Sequence, residues 1–253
     1  MNLSHTASVM SFKRTLSIVG LSSSLVGFAS AEIESSISAG YNNQYVYRGV
    51  DLGDDQATLS LAASGNGGDL NWNIGLFHGS NEGNTLSTGG NGASLDETRI
   101  HGGLSTALSD CLSLNAGLIS TSYSGGVAAI SADRLEVYVG ASTSLSGIDL
   151  SATAFFNESD NYTGDTYYEV TASKSVDVAE NVSGTLAITY GNWNKDPLSQ
   201  GLEDVDFLSF AGTLNIDLGD SVSASVGVTH ITADTTALTE DETVVGTSLT
   251  LGF

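Results

Sequence analysis

Proline is almost missing from this chain of 253 residues: Pro197 stands alone, so little can interrupt a strand ladder. Cysteine is equally scarce. With only Cys111, an internal disulfide and a thiolate metal site are both excluded. Bases are few, 7 Lys and Arg against 29 Asp and Glu, for a formal charge of −22. Nucleic acid needs a basic footprint, so that class of partner is excluded. Beyond residue 31 no apolar run approaches the roughly 18–20 residues of a membrane-spanning helix. A membrane crossing, if there is one, is made by strands. His78, His101 and His230 lie in no recognisable nucleophile motif, so no enzyme activity is expected, and no cofactor.

What is present begins with an address. Lys13 and Arg14 precede an apolar-to-small stretch, Thr15 to Phe28, and Ala29-Ser30-Ala31 has the small-x-small form of a cleavage site. Residues 1–31 therefore read as a secretory signal peptide and 32–253 as one mature domain. All the acidic residues fall in the mature part, where Arg48, Arg99, Arg134, Lys174 and Lys195 are the remaining bases. Its valines, leucines and aromatics, with the 30 glycines of the chain, point to ordered strands rather than disorder.

The final residues set the pattern. Val245, Leu249, Leu251 and Phe253 alternate with Gly246, Ser248, Thr250 and Gly252, which places an apolar and a small polar face on one strand. Similar segments recur along the whole chain, and their period of two predicts twelve strands. They are Ser35–Tyr47, Gln56–Ser64, Leu70–Gly79, Glu97–Ser109, Leu112–Ser122, Arg134–Ser144, Ile148–Asn157, Thr166–Val176, Val182–Asn192, Val205–Ile216, Ser221–Thr232 and Thr243–Phe253. Short connections alternate with longer ones, of which Arg48–Asp55 is the most modest. Sorting loops by length on an even strand count is the outer-membrane pattern: short periplasmic turns, longer extracellular loops, a closed antiparallel transmembrane barrel. Closure also removes the sheet edges that lipid would leave unsatisfied.

The polar faces carry serine, threonine, asparagine and glycine in place of the lysine and glutamate of a solvated sheet. Arg99, Arg134, Glu136 and Glu169 fall opposite the apolar stripe of their strands. A base facing lipid at mid-depth costs roughly 2–4 kcal/mol. These four are therefore expected to face the lumen, lining a pore or neutralising one another in a plug. Tyr45, Tyr47, Phe77, Tyr123, Phe155, Phe156, Tyr167, Tyr168, Tyr190, Trp193, Phe207 and Phe210 cluster toward the long-loop strand ends, as an interfacial aromatic girdle would. The long-loop side is densely acidic, but no loop has the spacing of a dedicated calcium site, and a solvated acidic surface is expected there rather than a metal site.

Two stretches resemble known proteins. A strand ending on an aromatic carboxyl terminus, here Leu249, Leu251 and Phe253, is similar to the assembly signal of bacterial outer-membrane barrels. Ser38-Ala39-Gly40-Tyr41-Asn42 followed by Tyr45-Val46-Tyr47-Arg48-Gly49-Val50 resembles the start of the TorF-like porin family. That resemblance implies an outer-membrane porin, with Tyr45, Tyr47, Arg48 and Gly49 as its motif and no catalytic residue. The implied partners are outer-membrane lipid, the barrel assembly machinery and small solutes or cations. A structural or surface-interaction barrel with a plugged lumen, and a barrel hydrolase acting on lipid, are the alternatives.

Overall fold

Period-two alternation does build strands, and the strands close on themselves. The computed structural model describes residues 33–82, 95–125, 133–159, 164–194, 205–234 and 241–253. The proposed signal peptide, residues 1–31, lies outside them. Twelve strands follow in chain order: β1 (Glu34–Tyr47), β2 (Val50–Asn66), β3 (Leu70–Glu82), β4 (Leu95–Ser109), β5 (Leu112–Gly125) and β6 (Arg134–Leu145). The circle continues with β7 (Ile148–Asn157), β8 (Thr166–Ala179), β9 (Val182–Asn194), β10 (Asp206–Gly219), β11 (Val222–Asp234) and β12 (Glu242–Gly252). Each pairs antiparallel with its sequence neighbours, and β1 closes on β12 from Ser36↔Gly252 to Asn42↔Gly246. At the seam, Ser35 and Phe253 exchange backbone hydrogen bonds of 3.1 and 2.9 Å. Both described ends of the chain therefore lie on the rim that carries the short turns.

Side chains sort by face as the alternation requires. Leu186, Val170, Leu249 and Phe253 point outward and are 70, 53, 54 and 75 % exposed. Fully burying such a side chain is worth about 1.5–3 kcal/mol, so a continuous wall of them is untenable in water and suited to lipid. Near the long-loop rim, outward Tyr190 donates to Asp206 at 3.1 Å, and Tyr41 donates to Asp55. Rings in the wall with hydroxyls on polar partners fit a membrane–water interface. Lys174 pairs in register with Leu186 on the outward face, where a long apolar stem lets the ammonium reach toward headgroups.

The inner face differs between the two halves of the barrel. In the short-turn half it is built of serine, threonine, glycine and asparagine. Hydroxyl pairs such as Ser225···Ser248 (2.8 Å) and Thr171···Thr189 (2.9 Å) satisfy one another across strands. Twelve strands about 4.8 Å apart, tilted about 40°, enclose a bore of about 12 Å backbone radius, which such short side chains cannot fill. The long-loop half is filled.

The segment Arg48–Asp55, expected to be a loop, departs most from the sequence reading. Residues 50–55 are strand, and Tyr47↔Val50 closes a two-residue turn. Gly53 and the acids Asp51, Asp54 and Asp55 weaken the local strand signal, because these residue types are depleted in strands. Tertiary packing overrides that weakness. The aromatic girdle also needs correcting. Phe156, Tyr168, Tyr190 and Phe210 face outward, 37 to 47 % exposed. Tyr45, Tyr47, Phe77, Tyr123, Phe155, Tyr167, Trp193 and Phe207 belong to the interior, as their buried contacts show.

Candidate functional site

The β1–β2 hairpin begins in the wall and ends in the lumen. Its ladder to β12 stops at Asn42↔Gly246, and Asn43 then takes over with its side chain. The Asn43 Oδ1 accepts from the Val245 amide at 2.6 Å and its Nδ2 donates to the Thr243 carbonyl at 3.4 Å. On the other flank the β2–β3 register shifts between Asp54 and Ala57, and Asn81 donates to the Leu52 carbonyl at 3.0 Å. A further register shift falls at Tyr45/Val46, and Gly53 (φ 145°) and Asp55 (φ 48°) take unusual backbone angles. Bulges of this kind bend a strand and re-aim its side chains. The hairpin bends inward.

At its tip, Arg48 (φ 50°) and Gly49 (φ 81°) both have positive φ, the signature of a type I′ turn. A β-carbon on Gly49 would lie 2.7 Å from the Phe207 ring, so glycine is required there twice over. A left-handed arginine costs roughly 1–2 kcal/mol. Its contacts offset that. The Arg48 Nη1 donates to Glu136 Oε1 at 2.6 Å, and its guanidinium carbon lies 4.2, 4.3, 4.9 and 5.1 Å from the ring centroids of Phe155, Tyr167, Tyr47 and Trp193. The Trp193 indole N–H donates to the Arg48 carbonyl at 3.2 Å. A charge-assisted hydrogen bond contributes about 1.5–3 kcal/mol and each desolvated cation–π contact up to about 2 kcal/mol, so the latch outweighs the strain.

The tip reaches most of the wall. Leu52 meets Asn81 of β3, Tyr45 donates to Glu97 of β4 and packs with Tyr123 of β5, and Arg48 touches β6 through β9. Val46 and Tyr47 pack against the cluster of Tyr167, Trp193, Val205, Phe207 and Ile231, which continues round to β11. Rings run along the wall as a tilted chain, Tyr138–Phe155–Tyr167–Trp193, with centroids 5.8, 5.4 and 4.7 Å apart.

Arg99, Arg134, Glu136 and Glu169 lie around this tip and its ring cluster. Arg99 donates its Nε to Glu97 at 2.9 Å and lies 5.0 Å from the Tyr47 ring. Glu97 has no exposure, and it is held by Arg99 and the Tyr45 hydroxyl together. Arg134 is buried with its guanidinium 5.8 Å from the Tyr123 ring. Glu169 accepts from the Tyr167 hydroxyl at 2.8 Å. Buried charges need partners, since breaking a buried pair costs about 3–5 kcal/mol. Asp51, Glu97 and Asp165, three acids of the long-loop side, are buried rather than part of a solvated surface. Arg48, the first residue of the connection expected over Arg48–Asp55, is inside the plug. Among the described residues no three or more His, Cys, Asp or Glu side chains converge as a metal site.

His78 and His230 each pair with a threonine on the next strand, Thr98 and Thr243, at 3.1 Å. His101 faces the interior beside Gly75. Leu249 and Leu251 line the outer wall at the β1–β12 seam, with Phe253 at the short-turn rim.

No family model matches the chain, and no curated protein does. Solved structures do. An outer membrane channel from Pseudomonas putida F1 superposes with a TM-score of 0.59 at 12 % identity, covering 88 % of this chain and 95 % of that one. LpxR from Salmonella typhimurium gives 0.54 at 9 %, covering 86 % and 99 %. The NanC porin gives 0.53 at 8 %, covering 86 % and 98 %. The likeness is one of fold, and the fold is that of a bacterial outer-membrane β-barrel.

Proposed function

We propose that this protein is an outer-membrane channel for small hydrophilic solutes, favouring cations, with a bore narrowed by the β1–β2 tip. The observation that carries this reading is the contrast inside one barrel: a polar bore too wide for its small side chains, meeting a plug in which Arg48 and Arg99 are paired with Glu136 and Glu97. Structural likeness to an outer membrane channel and a porin supports it, as does the resemblance of Tyr45, Tyr47, Arg48 and Gly49 to the TorF-like motif. On this reading residues 1–31 direct export, and Leu249, Leu251 and Phe253 present the strand that the assembly machinery reads.

Cation preference follows from how the lumen charges are spent. Arg48 and Arg99 are held against Glu136 and Glu97, so neither leaves a net basic constriction. Carboxylates at the long-loop mouth then set the local potential, and clustered charge of one sign raises counter-ion concentration. Reversal potentials under a potassium chloride gradient test this. Preference for potassium at low salt, fading as the Debye length falls from about 10 Å at 0.1 M to about 3 Å at 1 M, is expected. Preference for chloride at low salt would overturn it.

The second reading, a barrel that conducts nothing and acts through its surface, is favoured by the plug itself. Planar bilayers separate the two: discrete conductance steps belong to the first reading, a silent inserted barrel to the second.

A further inference from the structure

The chamber that holds the Arg48 guanidinium is made almost entirely by the wall. Glu136 comes from β6, Phe155 from β7, Tyr167 from β8 and Trp193 from β9, four consecutive strands of one hydrogen-bonded sheet. The tip contributes only Tyr47 and the guanidinium. The ladder holds the backbone positions of these four residues in register whether or not the tip is docked. Three ring faces and one carboxylate make a cage for a flat organic cation.

One atom shows that Arg48 does not use all of it. Glu136 is 1 % exposed, yet among the described residues its Oε2 has no hydrogen-bond partner, while Oε1 takes the single bond from Arg48 Nη1. A carboxylate can accept a guanidinium through two parallel N–H bonds. Arg48 is anchored at a tight turn, with its own carbonyl held by Trp193, and it makes one. An untethered guanidinium can turn its fork to meet both oxygens. Its weak hydration, compared with an alkali cation or a primary ammonium, suits a site walled by rings.

We propose that this cage is a binding site for guanidinium-bearing solutes, with Arg48 as its built-in competitor. The inference deepens the cation-favouring channel reading and rests on it for its biological sense. A solute that takes the place of Arg48 removes the latch of the β1–β2 tip, so binding and opening are coupled. Each can shift the other only by its differential affinity for the docked and released tip. The 10 % exposure of the Arg48 side chain gives an incoming cation a first foothold.

The test is a binding measurement that needs no conduction. Trp72 and Trp193 are the two tryptophans, so Trp72→Phe leaves Trp193 as the sole reporter. Refolded barrels in detergent, checked by heat-modifiable migration, are titrated with guanidinium chloride below denaturing concentrations. Sodium chloride and tetramethylammonium chloride at matched ionic strength serve as controls. In the Arg48→Ala background, Trp193 emission is expected to change saturably with guanidinium, at least ten-fold more tightly than with sodium. Adding Glu136→Gln should abolish saturation. With Arg48 present the same curve should shift at least ten-fold to higher concentration.

A folded Arg48→Ala barrel showing no saturable response, or one that Glu136→Gln leaves unchanged, overturns the proposal. Should Arg48→Ala fail to fold, the Trp72→Phe barrel decides: a saturable guanidinium response absent with sodium supports the site, and its absence overturns it. A barrel that binds guanidinium yet passes no current keeps the site and refutes the channel. One that conducts cations without binding does the reverse.

Discussion

The two halves of this barrel interior have the same wall and opposite contents. Toward the short turns the inward residues are small hydroxyls and glycines that pair with one another, as Ser225 does with Ser248. Toward the long loops the inward residues are Tyr123, Tyr167, Trp193 and Phe207, buried with Glu97, Arg134 and Glu136. The same twelve strands wall both halves, so strand order does not decide what fills the bore. A bent hairpin does, and side-chain size on each level has adapted to whether the hairpin is there. Glycine at 191 shows the fit: a β-carbon there would lie 2.2 Å from Phe207 and 2.6 Å from the Tyr167 hydroxyl.

The largest effect on this contrast should come from Arg48→Ala. It leaves Glu136 buried without its cation, which costs about 3–5 kcal/mol. That penalty falls on the docked tip, so the tip should release and bilayer conductance should rise several-fold. Urea unfolding in lipid vesicles measures the loss, and Arg48→Ala with Glu136→Gln should recover much of it. An Arg48→Ala barrel with wild-type conductance and stability would mean the latch carries no weight.

Next comes Gly49→Ala, which meets Phe207 and asks alanine to hold a positive φ. A cost of about 1–3 kcal/mol is expected, with partial opening. Trp193→Phe keeps a ring and loses the N–H donated to the Arg48 carbonyl. The expected loss is about 1 kcal/mol, with a small rise in open probability.

The smallest effects belong to the other half. Ser225→Ala removes one hydroxyl pair on the open bore and should change stability by about 0.5 kcal/mol or less, with conductance unaltered. A large effect there would erase the distinction between filled and open halves.

Most of the barrel was legible in the sequence because a side-chain period of two is a local property. The alternation in Leu112, Leu114 and Leu118, and in Val245, Leu249 and Leu251, predicts outward faces that the fold places in the wall. The same parity puts Arg99, Arg134, Glu136 and Glu169 opposite the apolar stripe of their strands. The plug did not follow. Arg48 meets Glu136 across 88 residues of chain and Trp193 across 145, and no local pattern encodes contacts at that separation. A signal was nonetheless available. Phe155, Tyr167 and Trp193 lie on the small polar parity of their strands, where an interfacial girdle would not put them. Large rings on an inward face need something in the bore to pack against.

Shortening the hairpin tests the closing role of its tip most directly. A variant in which residues 45–53 are replaced by a minimal turn keeps the β1–β12 and β2–β3 ladders, and its refolding can be verified by heat-modifiable migration. Its single-channel conductance in planar bilayers, set beside that of the intact chain, is the decisive comparison. A tip that closes the bore predicts a several-fold larger, steadier conductance in the shortened barrel. Equal conductance in two folded barrels, or silence in both, would contradict it.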